Sequence, residues 1–222
     1  MPSAKDIRLK PIDGRTASAL VRRLHYSGKT TQNPQIHIGV YLGASLLGAL
    51  QFGPPIDKRR MRGLVEGTAW DGFLELNRMA FDDRLPRNSE SRALAISMRL
   101  LKKHRPGVEW VVSFADATQC GDGTIYRASG FVLTSVKPNR TMLRMPDGSV
   151  IADKTLNDRR GPDGRTLTSH AKQAGAKPLA GYQLRYVYFL NPEARTRLTV
   201  PELPYSAIDE AGARMYRGRK PN

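Results

Sequence analysis

Apolar side chains recur along this chain with two periods, and the changes from one period to the other mark its elements. Ala17, Leu20, Val21 and Leu24 fall at i, i+3, i+4 and i+7 while Arg22 and Arg23 face away. This spacing predicts a helix capped by Thr16 and closed by Gly28, with His25, Tyr26 and Ser27 at its carboxyl end. Period two follows. Ile36, Ile38 and Val40 alternate with His37, Gly39 and Tyr41, and after the Leu42-Gly43-Ala44 turn a second run from Ser45 reaches Phe52. A hairpin is expected there, stopped by Pro54 and Pro55.

Residues 57–71 are rich in Arg and Gly and read as a connection, whereas 73–80 reads as a strand with Arg78 near its end. In a regular strand the odd offset from Glu75 to Arg78 puts the two on opposite faces. Leu94, Met98 and Leu101 form one helical stripe that Ala93, Ile96 and Leu100 widen. Asn88 or Ser89 is placed to cap this helix, and Lys102, Lys103, His104 and Arg105 complement its negative end before Pro106-Gly107. The near-continuous apolar run from Trp110 to Ala115 is that of a strand buried on both faces. Phe131 to Val136 and the aromatic-rich Tyr182 to Leu190 are two more strands.

Between the last two strands the pattern breaks. Residues 137–181 carry nine Lys and Arg against four Asp, which marks a basic insertion within a single α/β domain spanning 1–222. The final eighteen residues, 205–222, read as a mobile basic tail. The whole chain of 222 residues has a net charge of +16. Such a surface attracts polyanions, so nucleic acid is the expected partner. Lys137, Arg140, Arg144, Arg159, Arg160 and Lys172 of the insertion, with the tail after Arg214, are the candidate DNA-backbone contacts. One cysteine, Cys120, excludes an intramolecular disulfide and a Cys-based zinc site. No apolar run reaches membrane-spanning length and no signal pattern opens the chain, so a cytoplasmic protein is expected.

Chemistry concentrates at three places. Asp116 stands where a strand stops and a Gly-bearing loop begins, ten residues before Tyr126 at the start of a short helix. That is how an α/β enzyme presents a proton acceptor and a phenol to a cleft, although an Asp there can also simply close a turn. Arg78 would be costly to bury alone, and substrate is the expected partner. His25 and Tyr26 after the first helix are the other candidates. Tyr26, Trp70 and Phe52 are the aromatics expected to stack on an extruded base.

The order helix, hairpin, strand, helix, strand, short helix, strand, insertion, strand resembles the GCN5-related N-acetyltransferase fold, a mixed sheet whose central strands splay apart. Leu76-Asn-Arg-Met-Ala80, Ser113-Phe-Ala-Asp116, Ile125-Tyr-Arg-Ala-Ser-Gly-Phe131 and Arg185-Tyr-Val-Tyr-Phe-Leu190 are similar to segments of the Mom family of Mu-type phages. The resemblance implies a transferase that converts adenine N6 in double-stranded DNA to the carbamoylmethyl form and shields phage DNA from restriction. It places functional positions on His25, Tyr26, Arg78, Asp116 and Tyr126 and implies iron, for which His25, Tyr26 and Asp116 are the candidate ligands. The fold also implies an activated donor bound near Arg84, Arg87, Ser89 and Arg92. That segment, Arg84-Leu-Pro-Arg-Asn-Ser-Glu-Ser-Arg92, lacks the glycines that let a backbone wrap a pyrophosphate. Acyl-CoA and aminoacyl-tRNA are both donor candidates, the second making tRNA a further partner. An N-acetyltransferase acting on protein or a small amine, and a DNA-binding module without catalysis, are the rival readings.

Overall fold

The computed structural model describes residues 2–31, 33–118, 120–139 and 142–215. They form two compact units, the first taking in residues 1–114, 123–134 and 185–205. It is built on a seven-stranded mixed sheet in the order β1 (Ile7–Pro11), β2 (Ile36–Leu42), β3 (Ser45–Gly53), β4 (Phe73–Phe81), β5 (Trp110–Asp116), β10 (Tyr182–Phe189) and β6 (Val132–Pro138). β1 to β4 pair antiparallel in sequence order and β4 pairs β5 in parallel. The expected hairpin is β2 and β3.

Helix α1 (Gly14–Leu24) buries Ala17, Leu20 and Val21, as its periodicity requires. Its cap is Asp13 and not Thr16. The aspartate takes the Thr16 backbone N–H at 2.9 Å and the Thr16 hydroxyl at 2.7 Å, and its negative charge suits the helix amino terminus. Helix α3 (Ser89–His104) buries Ala93, Leu94, Ser97, Met98 and Leu101. Asn88 opens it at φ +68 without a side-chain cap, while the Ser89 hydroxyl turns back to donate to the Pro86 carbonyl at 2.6 Å. The connection 57–71 contains a short helix, α2 (Lys58–Arg62), whose Met61 packs against a core of Leu64, Val65, Phe73, Trp110, Val112, Val187 and Ala194. Helices α4 (Thr124–Ala128) and α7 (Pro192–Thr196) complete this unit.

The second unit takes in residues 115–122, 135–184 and 206–222. The basic insertion is folded: strands β7 (Met142–Arg144), β8 (Val150–Ala152) and β9 (Lys177–Pro178) form a sheet in the order β8-β7-β9, joined by α5 (Asp153–Asn157) and α6 (Leu167–Gln173). Leu143, Ala171, Ala176 and Leu179 supply its buried apolar contacts. The expectation of a mobile tail from residue 205 fails for its first part. Tyr205 donates its hydroxyl to the Phe131 carbonyl at 2.7 Å, α8 (Ser206–Glu210) buries Ile208, and Met215 accepts the Asp122 N–H at 3.0 Å. Residues 216–222 lie outside the described residues, as does Arg140. Among the described residues no helix is long and apolar enough to cross a membrane.

Candidate active site

The parallel ladder of β4 and β5 has three pairs, Phe73 with Trp110, Leu74 with Val111 and Glu75 with Val112. Past Glu75 the two strands no longer pair, so the central sheet parts there. Against β3, Gln51 faces Arg78 and Phe52 faces Leu76, which leaves Asn77 as an extra residue, a bulge. The bulge is seated by its neighbours. A side chain at Gly53 would lie 2.8 Å from Asn77 Oδ1, and Asn77 Nδ2 donates to the Pro54 carbonyl at 3.3 Å.

One residue of bulge reverses the parity of the strand, and the expectation that Glu75 and Arg78 face apart is overturned. Each lies within electrostatic reach of the other. Burial pushes the Glu75 carboxyl up to about 7, against the lowering influence of the Asn77 amide and the Arg78 charge. Burial likewise lowers the Arg78 guanidinium, while Tyr26, Glu75 and Tyr126 favour its charged form. Nε of Arg78 donates to the Lys29 carbonyl at 3.0 Å and Nη1 to the Asn77 carbonyl at 2.7 Å, which fixes the guanidinium between the loop after α1 and the bulge. Tyr26, Glu75 and Tyr126 thus lie within electrostatic reach of Arg78.

Tyr26 is half exposed at 50% and packs against the His25 ring in a tilted arrangement with centroids 4.3 Å apart. The Nδ1 of His25 takes the Ser27 backbone N–H at 3.2 Å and lies 2.8 Å from its hydroxyl. Tyr126 packs its ring against Phe131 and Tyr186, at 5.4 and 5.2 Å between centroids. Gly123 makes this possible: at φ +82 a side chain there would stand 2.4 Å from the Tyr186 ring. Phe52 is 0% exposed and cannot stack on a base, since β3 is covered on both faces. Trp70, at 50%, is accessible.

Asp116 ends β5 and is half-buried. Its Oδ1 takes the Thr118 N–H at 2.9 Å, and its carbonyl takes the N–H of Cys120 and of Gly121. The turn is anchored at both ends of the insertion, because Asn139 Nδ2 donates to the Thr118 hydroxyl at 2.9 Å and Asn139 N–H to the Gly181 carbonyl at 2.8 Å. A side chain at Gly181 would meet Thr118 at 2.5 Å. The carboxylate therefore closes a turn.

Of the expected cofactor-binding group, Arg84 and Ser89 are engaged within the protein. Arg84 is held by both oxygens of Asp82 at 2.8 Å, an ion pair that keeps the Asp82 carboxyl far below the usual carboxylate range. Ser89 is fully buried with its hydroxyl spent on Pro86, and the Asp6 carboxyl, lowered chiefly by hydrogen bonds from Ser3, is also within electrostatic reach of Arg92. Arg87 alone stays exposed and without an ion pair among the described residues. For iron, no group of three or more His, Cys, Asp or Glu able to hold a metal occurs among the described residues, and Nδ1 of His25 is already engaged by Ser27. Lys137, Arg144, Arg159, Arg160 and Lys172 are exposed, and none is in an ion pair among the described residues.

A mixed sheet in this strand order, with its fourth and fifth strands parted past Glu75, is a fold of the GCN5-related N-acetyltransferase-like class. Solved structures of similar fold include the GNAT-family acetyltransferase from Bacillus anthracis, 9% identical, with 83% of this chain and 95% of that chain covered at a TM-score of 0.47. The IAA acetyltransferase from Bacillus cereus is 10% identical over 82% and 99% of the two chains, at a TM-score of 0.45. Within the class the family is definite. The model of the Mom protein family matches residues 6–207, and the chain belongs to that family. It is 35% identical over 198 residues to the methylcarbamoylase Mom of Escherichia phage Mu, covering 88% of this chain and 80% of that protein.

Proposed function

We propose that the protein is a transferase that acts on DNA, attaching a carbamoylmethyl group to the exocyclic N6 of adenine and so shielding phage DNA from restriction. The observation that carries this reading is family membership over residues 6–207, with a relative named a methylcarbamoylase. The side chains support it. An aromatic amine is a poor nucleophile, because its lone pair is delocalised into the ring; transfer requires a proton acceptor, alignment, and stabilisation of charge on the departing group. Asp116 is assigned the proton of N6. Arg78, with its Nε and Nη1 held by carbonyls, directs its remaining donors to the developing negative charge, and the phenols of Tyr26 and Tyr126 are the protonated partners of that charge. Half-exposed Tyr26 is the aromatic on which an extruded adenine stacks. The exposed cations of the insertion hold the phosphate backbone without reading sequence.

For the donor, the specific observation is the segment 84–92. It has no glycine, Arg84 is committed to Asp82 and Ser89 is buried, so a coenzyme A pyrophosphate finds little there. An aminoacyl-tRNA ester, held by the same basic surface, is the donor this favours: acyl transfer from a glycyl ester to N6 releases the tRNA 3′-hydroxyl and gives a glycyl amide, which becomes its carbamoylmethyl isomer when the glycyl amine attacks C6 and the former N6 departs from C6 as the amide nitrogen. The test is mass spectrometry of nucleosides from cells expressing the protein. A carbamoylmethyl-adenine mass is expected with the native chain and absent with Asp116→Asn, which should still bind DNA. Persistent protection of plasmid DNA by Asp116→Asn would remove Asp116 from the chemistry. Acetylated protein with unmodified DNA would replace the whole reading by that of an ordinary acetyltransferase.

A further inference from the structure

Helix α2 sends Met61 into the core and leaves Arg59, Arg60 and Arg62 exposed, none of them in an ion pair among the described residues. Burial lowers the guanidinium of Arg185 in β10, and the charge of Arg60 lowers it further. Arg185 cannot swing away: its Nε donates to the Thr134 hydroxyl at 2.9 Å and its Nη2 to the Thr134 carbonyl at 3.2 Å. A half-buried, fixed guanidinium at Arg185, with no carboxylate paired to it or to Arg60 among the described residues, is costly unless an anion joins it. Beside α2, Trp70 is half exposed, with Lys58 Nζ 4.7 Å and Arg62 Cζ 5.7 Å from its ring. These cation–π contacts hold positive charge at the surface next to an accessible indole. Planar guanidiniums beside an exposed aromatic suit a phosphodiester backbone with its sugars and bases.

We propose that Arg59, Arg60 and Arg62 of α2, with Arg185 and the exposed indole of Trp70, form a docking surface for the DNA backbone in the first compact unit, additional to the cations of the insertion. This rests on the reading of DNA as substrate. The chain offers its own optical probe, since it has two tryptophans and the other, Trp110, is fully buried with its Nε1 donating to Thr68. Binding of a fluorescein-labelled duplex is measured from low to high salt for the native chain and for Arg60→Gln/Arg62→Gln, alongside acrylamide quenching of tryptophan with and without unlabelled duplex. The variant should lower the slope of log K against log salt by about 2, at roughly 0.9 for each phosphate left without its cation. Duplex should shield Trp70, and Trp70→Phe should abolish the quenching that DNA suppresses. An unchanged slope, or a Trp70 that DNA leaves fully quenchable, overturns the proposal. So does a variant that loses affinity for tRNA and none for duplex. A native chain that binds duplex through this surface but yields no modified nucleoside sinks the proposed activity alone. A native chain that modifies adenine while the variant binds unchanged sinks this surface alone.

Discussion

Glu75 is the residue whose behaviour departs furthest from its sequence. It sits at the last rung joining β4 to β5, where burial raises its carboxyl from 4.5 to about 7. A carboxyl whose folded pKa is raised binds its proton more tightly in the native state. Its stabilising contribution is complete below the unfolded value, near 4.5, and is lost as pH rises through about 7. The difference corresponds to about 3 kcal/mol at most, at 1.36 kcal/mol per unit. Glu75→Gln should therefore flatten the fall in stability between pH 4.5 and 7, and above pH 7 should be more stable than the native chain by about 1–3 kcal/mol in urea melts. The same variant should lose any inflection near pH 7 in the rate of DNA modification. A native melting curve unchanged between pH 5 and 8 would show that the carboxyl is not held this way. At Arg78, whose guanidinium is fixed by two carbonyls, Arg78→Lys preserves the charge but not the fork. Modification is expected to fall at least tenfold in single-turnover assays with the melting temperature little changed.

At the scale of elements, the periodic segments were legible and the irregular ones were not. The hairpin, α1, α3 and the buried β5 follow from apolar spacing that nothing in the fold contests. The Glu75–Arg78 relation was misjudged because parity counting assumes a regular strand, and a bulge is invisible to it. A trace remains in the polar Asn77 within an apolar run, facing Gly53-Pro54-Pro55, residues that leave room for an extra residue and cannot extend a ladder. The places of Asp116 at the end of β5 and of Tyr126 in a short helix were legible. The network of Thr118, Asn139 and Gly181 that holds the Asp116 turn was not, since its members lie 21 to 63 residues apart. Two glycines hold these elements in place. Gly123→Ala would force a left-handed backbone and a clash with Tyr186, and should lower stability by about 2–4 kcal/mol in denaturant titrations, with Tyr126 displaced. An alanine accommodated there without loss would mean that α4 can shift, and Tyr126 would not then be positioned by the Tyr186 ring.

For the whole molecule, the excess of cations is a statement about affinity and salt, not about sequence preference. Surface cations paired to carboxylates, such as Arg84 with Asp82 or Arg195 with Glu202, contribute little to an external anion. Those of the insertion differ, because Lys137, Arg144, Arg159, Arg160 and Lys172 are exposed and free of ion pairs among the described residues. The small sheet and helices beneath them give those charges a fixed frame, which a mobile excursion would not, and a fixed array releases counterions together when a phosphate backbone arrives. Replacing Arg159, Arg160 and Lys172 by Gln should lower the salt slope of duplex binding by about 2–3, at roughly 0.9 for each phosphate. Affinity should fall by a similar factor for every duplex sequence, because phosphate contacts position the protein and carry no base identity. The rate of modification at saturating DNA should stay near that of the native chain, as none of the three is assigned to the chemistry. Equilibrium binding across several salt concentrations, on two duplexes of unrelated sequence, separates these quantities. A variant that keeps its slope but changes which duplex it prefers would mean that the insertion touches base edges, and its charges would then serve selection and not attachment.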